Sequence, residues 1–191
     1  MADVADVLTL FQRGVADFGR GVHAVGADQW SAPTPCTDWD VRELVNHLVV
    51  EHLWVPPLLA GRTVAEVGDA YDGDQLGADP VAAWDAAATA SVADFADAGA
   101  LDRTVHLSYG DRPAREYCRE MVLDLAVHGW DLARATGGDE RIDPDLVQLA
   151  YGHLAPIVHL WQDAGVFGPP VPVADDADLQ TRLLAMTGRK A

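Results

Sequence analysis

At 191 residues the chain is long enough to bury a core without disulfide staples, and one domain spanning 1–191 is expected. Asp and Glu number 30 against 13 Lys and Arg, a formal charge of -17 that sets aside nucleic acid and anionic membrane surfaces as partners. Cys36 and Cys118 are the two cysteines, the N-terminal MADVADVLTLFQ lacks the basic and apolar regions of a secretory signal, and Glu51, His52 and two prolines cut the longest apolar run, so a reducing cytoplasm is expected.

The first predicted helix runs roughly from Val4 to Val25, with Val4, Val7, Leu8, Phe11, Val15, Phe18 and Val22 at helical spacing. SAPTPCTDW then reads as a loop. Asp40 with Glu43 three residues on forms a capping-box signature, which starts a second helix at about Val41. Its apolar stripe is Val41, Leu44, Val45, Leu48, His52 and Val55, and Pro56-Pro57 should kink or end it before Gly61. His47 lies one step off the centre of that stripe.

Gly61 to Gly77 reads as a connection, and Asp79-Pro80 as an N-cap with proline at the first helical position. The third helix, to about Ala98, should turn Val81, Trp84 and Phe95 inward. RTVHLSYGDRPAREY alternates Val105, Leu107 and Tyr109 around a Gly-Asp turn, which suggests a short hairpin or extended arm. A fourth helix spans about Ala114 to Thr136, closed by Gly137-Gly138, and Asp143-Pro144 opens a fifth that should reach Ala164. The proline-rich tail from about residue 165 ends in a helical stretch from Asp178 to Met186.

The chemistry concentrates in the fourth helix. Asp124 and His128 are separated by roughly 400° of helical rotation, so their side chains stack on one face within reach of one ion. Asp131 returns to nearly the same face, where it can receive an imidazole N–H or cap local backbone. The segment EMVLDLAVHGWDLA is apolar almost all round and should be buried, and a buried carboxylate needs a positive partner, of which a metal ion is one kind. A third ligand has to come from another helix; His47 is best placed, with His52 and a His47/Glu51 pair as competitors. Cys36, in the loop just before the His47 helix, is placed for a role near the site but reads first as a small buried hydrophobe, and Cys118 points to a different face from Asp124. His23, His106, His153 and His159 read as structural or surface residues. No Gly-rich phosphate loop, G-x-S-x-G elbow or H-E-x-x-H is present.

APTPCTDWDVRELVNHLV, GALDRTV, DLAVHGWDLARATG and FGPPVPVADDADLQTRLLAMTGR occur in that order. Together they resemble the actinobacterial metal-binding proteins related to mycothiol-dependent maleylpyruvate isomerase, in the DinB-like superfamily, over about residues 5 to 190. The resemblance implies an all-α fold: a DinB-like antiparallel four-helix bundle with a long crossover, joined here by an extra helix, the arm or hairpin, and a tail of about 165–191 packing on it. It also implies a divalent metal held by one histidine of the second helix and two ligands of the later one, positions that match His47, Asp124 and His128. Related proteins carry Glu or a third His where this chain has Asp124, a shorter carboxylate. Zinc is expected first, with nickel, iron or manganese behind it.

The activity the resemblance implies is use of mycothiol as co-substrate. Three protein ligands leave an open position at which a bound thiol loses its proton and becomes a nucleophile. A thiol S-transferase acting on an electrophilic small molecule is therefore the expected function. The isomerase carries a further C-terminal domain that chains of this length lack, which places maleylpyruvate isomerisation second, beside a non-catalytic metal- or ligand-binding protein. A homodimer accords with the apolar helix surface.

Overall fold

The computed structural model describes residues 7–36 and 39–191. The chain is mostly helical, with one small two-stranded sheet. The first helix, α1, covers Val7–Ala24 and buries Val7, Phe11, Phe18 and Val22; the expected start at Val4 lies outside the described residues. Helix α2, Val41–Leu59, begins with the anticipated capping box: Asp40 accepts from the Glu43 N–H while Glu43 reaches back to the Asp40 N–H. It runs through Pro56 and Pro57 and stops before Gly61. Both prolines fall in the last turns, where Ala60, Gly61 and Arg62 donate to the carbonyls of Pro56, Leu58 and Pro57 and close the end.

The connection that follows is not structureless. Thr63 and Glu66 form a second capping box on α3, Val64–Val67, the same S/T-x-x-E signature that opens longer helices. Helix α4, Pro80–Ala96, starts on Asp79 as expected and buries Trp84 and Phe95, with Val81 partly buried at the margin. A 3-10 turn at Ala100–Asp102 leads to β1, Thr104–Leu107, paired antiparallel with β2, Gly110–Pro113. Leu107 faces Gly110, so the hairpin turn is Ser108-Tyr109 and not Gly-Asp. Gly110 opens the return strand with φ of 118°, a conformation that glycine takes without a Cβ penalty.

Helix α5, Ala114–Thr136, ends on Gly137 in the left-handed conformation. The expected fifth helix is two: α6, Pro144–Leu154, and α7, Val158–Asp163. Pro156 separates them, having no N–H to continue the ladder. Helix α8, Leu179–Met186, is capped by Asp178.

Helix α1 packs on α4 and α5, and α2 packs on the same two, so the four long helices enclose one core. Helix α6 lies on α5 and α8 on α6, while the hairpin sits beside α2 and α5. Aromatic pairs fill the centre: Phe11 with Phe95 at 5.0 Å and Phe18 with Trp84 at 4.7 Å between ring centroids. Each such side chain contributes on the order of 1.5–3 kcal/mol by leaving water. At Gly14 of α1 a Cβ would stand 3.3 Å from the Leu125 side chain, so the glycine permits the close approach that holds α5 in place. Among the described residues no helix is long and apolar enough to cross a membrane.

Candidate metal centre

The site forms where one face of α2 meets one face of α5. His47 and Glu51, one turn apart on α2, look across at Glu120, Asp124 and His128, each one turn further along α5. His47 Nε2 lies 3.0 Å from Asp124 Oδ2, and His128 Nε2 lies 3.4 Å from Asp124 Oδ1. One ligand atom from each of the three residues falls within 4.8 Å of the other two. The edge of a tetrahedron around zinc, with bonds of about 2.0–2.1 Å, is about 3.3 Å, so each short separation is near a ligand–ligand edge, although the two involve different oxygens of Asp124. Two imidazoles and a carboxylate also suit iron, nickel or manganese, so the donor set fits a divalent cation without selecting one.

His128 is the best braced of the three. It is buried, and its Nδ1 lies 3.0 Å from Asp131 Oδ2. With Nδ1–H donating to that carboxylate, Nε2 is the nitrogen turned to Asp124 and the one a cation would take in place of its proton. Asp131 is fully buried and is gripped from behind by Arg189, whose Nη2 and Nε donate to its two oxygens at 2.8 and 3.3 Å. Arg189 also donates to the Thr187 carbonyl, at 2.8 Å. A buried charge pair of this kind orients the imidazole and ties the C-terminal segment to the centre of α5.

The electrostatics follow from burial and close charges. Burial alone would raise the Asp124 carboxyl, but His47 and His128 outweigh it and hold the group well below the usual carboxylate range. Burial would likewise lower His128, yet Asp124 and Asp131 carry it up to about 9. Asp131 is kept low against its burial by hydrogen bonds from His128 and Arg189. Glu51 goes the other way: burial, reinforced by the Asp124 charge, pushes it up to about 7. Glu120 is raised by burial too, although it accepts a hydrogen bond from the Tyr109 hydroxyl.

The three residues line a cavity of about 850 Å³. The loop before α2 supplies part of its wall. Thr34 Oγ1 bonds the Trp39 carbonyl at 2.8 Å and receives the Cys36 N–H at 3.1 Å, which sets Trp39 with its ring centroid 4.6 Å from His47 and 5.6 Å from His128. The hairpin tip, α7 and the C-terminal segment close the other sides.

The structure thus brings together His47, Asp124 and His128, and puts Asp131 behind His128 as its spacing indicated. His52 is in the core, its Nδ1 2.6 Å from Ser91 Oγ, and is no rival ligand. Glu51 shares the cavity but stands outside the three-residue cluster. Cys36 is corrected: it is half-buried on the cavity wall because the turn around Thr34 directs it there, whereas Cys118 is buried beneath α1. Arg134 pairs with Glu140 and covers the Trp130 ring, away from the cavity. His23 and His106 pair with Asp85 and Asp111 at the surface, and His153 stands beside Glu116. Sequence reasoning missed Arg189, for which no periodic signal exists 58 residues from its partner.

A family model described as the mycothiol maleylpyruvate isomerase N-terminal domain matches residues 11–133, a span that contains all three residues of the cluster. Two proteins of Mycobacterium tuberculosis, one from strain CDC 1551 / Oshkosh and one from strain ATCC 25618 / H37Rv, are each 34% identical over 142 residues, covering 74% of this chain and 73% of the relative; both are described as uncharacterized. No solved structure matches the chain.

Proposed function

The chain belongs to the mycothiol maleylpyruvate isomerase N-terminal domain family, and on that premise we propose that it is a divalent-metal-dependent, mycothiol-dependent thiol S-transferase. The observation that carries this reading is the convergence of His47, Asp124 and His128 at the wall of a large cavity, with His128 fixed by Asp131. These three residues would hold the cation, zinc first and nickel, iron or manganese behind it. The chemistry a bound cation supplies there is to lower the pKa of a thiol at its open position, so that the thiolate is the form present near neutrality. The protein's own part is to hold the donors, to keep His128 in the tautomer that frees Nε2, and to give the electrophile a place in the open cavity beside the sulfur. In the transfer, the mycothiol S–H loses its proton to solvent, a sulfur–carbon bond forms, and the leaving group departs with the electron pair of the bond it breaks.

The wider reading is one DinB-like domain over 1–191: an antiparallel bundle of α1, α2, α4 and α5, a crossover through α3, and the tail packed upon it. It acts in the cytoplasm on small molecules, with neither nucleic acid nor membrane as partner, and its apolar helix surface suits a homodimer. Maleylpyruvate-type isomerisation is the second reading, favoured by the description of the family itself. The test is turnover by metal-loaded protein with mycothiol and a panel of electrophiles, beside maleylpyruvate with mycothiol. Conjugate formation above background that falls in His128→Ala supports S-transfer, and conversion of maleylpyruvate alone supports the isomerase. A rise in melting temperature on metal loading with no turnover leaves a metal-binding protein without catalysis.

A further inference from the structure

The cavity is charged unevenly. Glu51 and Glu120 stand on facing helices, and the Glu51 carboxylate has neither a hydrogen bond nor an ion pair among the described residues. Arg189 is the one Lys or Arg among the described lining residues, and its donors are taken by Asp131 and the Thr187 carbonyl. Arg112 lies over the Tyr109 ring at 5.6 Å on the exposed hairpin, and its charge acts on Glu120 without an ion pair between them among the described residues. Around these carboxylates the wall is aromatic: Trp54 follows Glu51 by three residues on α2, Tyr109 donates to Glu120, and Trp161 packs on Tyr109 at 5.6 Å and on Phe167 at 6.5 Å.

The geometry points to a substrate subsite for an ammonium group carried on an apolar or aromatic body, with Glu51 and Glu120 as its counter-charges and the aromatic wall as its bed. This inference rests on the proposed transferase reading and narrows its electrophile to a cationic amine. Carboxylates that are desolvated and hold no ion pair of their own gain from a cation, even with His47 and His128 acting on Glu51 and Arg112 on Glu120 through space, and the aromatic faces lining the same cavity add cation–π attraction. A dicarboxylate in the same place would meet two uncompensated acids and a guanidinium already engaged. A divalent ion at the cluster would add positive charge on the Glu51 side, one turn from His47, so with metal bound Glu120 and the aromatic wall carry the selectivity for a cation. The raised positions of both carboxyls express the same unmet demand.

The test uses three probes of matched size, phenethylammonium, phenethyl alcohol and phenylpropionate, titrated by ligand-observed NMR against the full chain, both metal-free and zinc-loaded. In metal-free protein the ammonium should bind at least about tenfold more tightly than either other probe. In the Glu51→Gln/Glu120→Gln variant, with an unchanged circular-dichroism spectrum, the preference should fall to within about twofold. Equal or tighter binding of the carboxylate, a preference unaltered in the variant, or no binding of any probe up to about 10 mM, which is weak even for a fragment, would overturn the subsite. Zinc content measured on the same samples keeps the two readings apart. Loss of the metal with the ammonium preference intact removes the transferase reading alone, and the reverse removes the subsite alone.

Discussion

His47 and His52 are five residues apart on α2, and the roughly 140° of rotation between them puts one on a polar cavity wall and the other inside the core. His47 keeps about a quarter of its side chain exposed and lies 3.0 Å from Asp124. His52 is fully buried between Phe11 and Trp84, bonds Ser91, and leaves Nε2 without a hydrogen-bond partner among the described residues. Burial pushes it down to about 3, so it behaves as a neutral aromatic wedge. Residue type is shared; the neighbours on the facing helices, a carboxylate on α5 against a hydroxyl on α4, decide the role.

The comparison breaks most readily by truncation. His52→Ala should cost on the order of 2–4 kcal/mol in a denaturant melt, as removal of a large buried side chain does, and leave metal content unchanged. His47→Ala should show the reverse: a stability change within about 1 kcal/mol, because the side chain stands at a partly exposed cavity wall and not in the core, and loss of the metal. Asp131→Asn sharpens the contrast from behind the centre. It should weaken zinc about 10- to 100-fold in a competition titration, while His52→Ala leaves the affinity as it was.

A third difference is in pH. The His52 imidazole has a folded pKa of about 3 against an ordinary 6.5. Above 6.5 it is neutral in both states; below that the unfolded chain takes the proton first, so stability drains as pH falls from 6.5 towards 3. At about pH 5 the loss is about 2 kcal/mol. Comparing wild type with His52→Leu at about pH 7 and about pH 5 isolates this share, and an identical acid limb in both would contradict it. The smallest effect is expected for Ser91→Ala, about 1 kcal/mol in the same melts, from a second imidazole nitrogen left unpaired.

Much of this could be read in the sequence, and the reasons are local. His52 lies in the apolar stripe of α2 and His47 beside it, so period favoured His47 while leaving His52 a competitor that only the facing Ser91 settles. Asp124, His128 and Asp131 share a face by spacing alone, and the Asp40–Glu43 box set the start of α2. The failures are of two kinds. Thr63–Glu66 and Pro156 carried ordinary local signals, a capping box and a helix break, obscured by a Gly- and Asp-rich stretch and by an apolar run respectively. Arg189 and the aromatic wall around Glu120 are assembled by tertiary packing: nothing within a few residues of Arg189 announces a buried partner on α5.

The most direct test of the metal centre is elemental mass spectrometry of the untagged, zinc-loaded and dialysed protein beside His47→Ala, His128→Ala and His52→Leu. About one metal per chain in wild type and His52→Leu, with little in the other two, is the expected result. Background metal in the wild type after loading, or undiminished metal in His128→Ala, would contradict the centre.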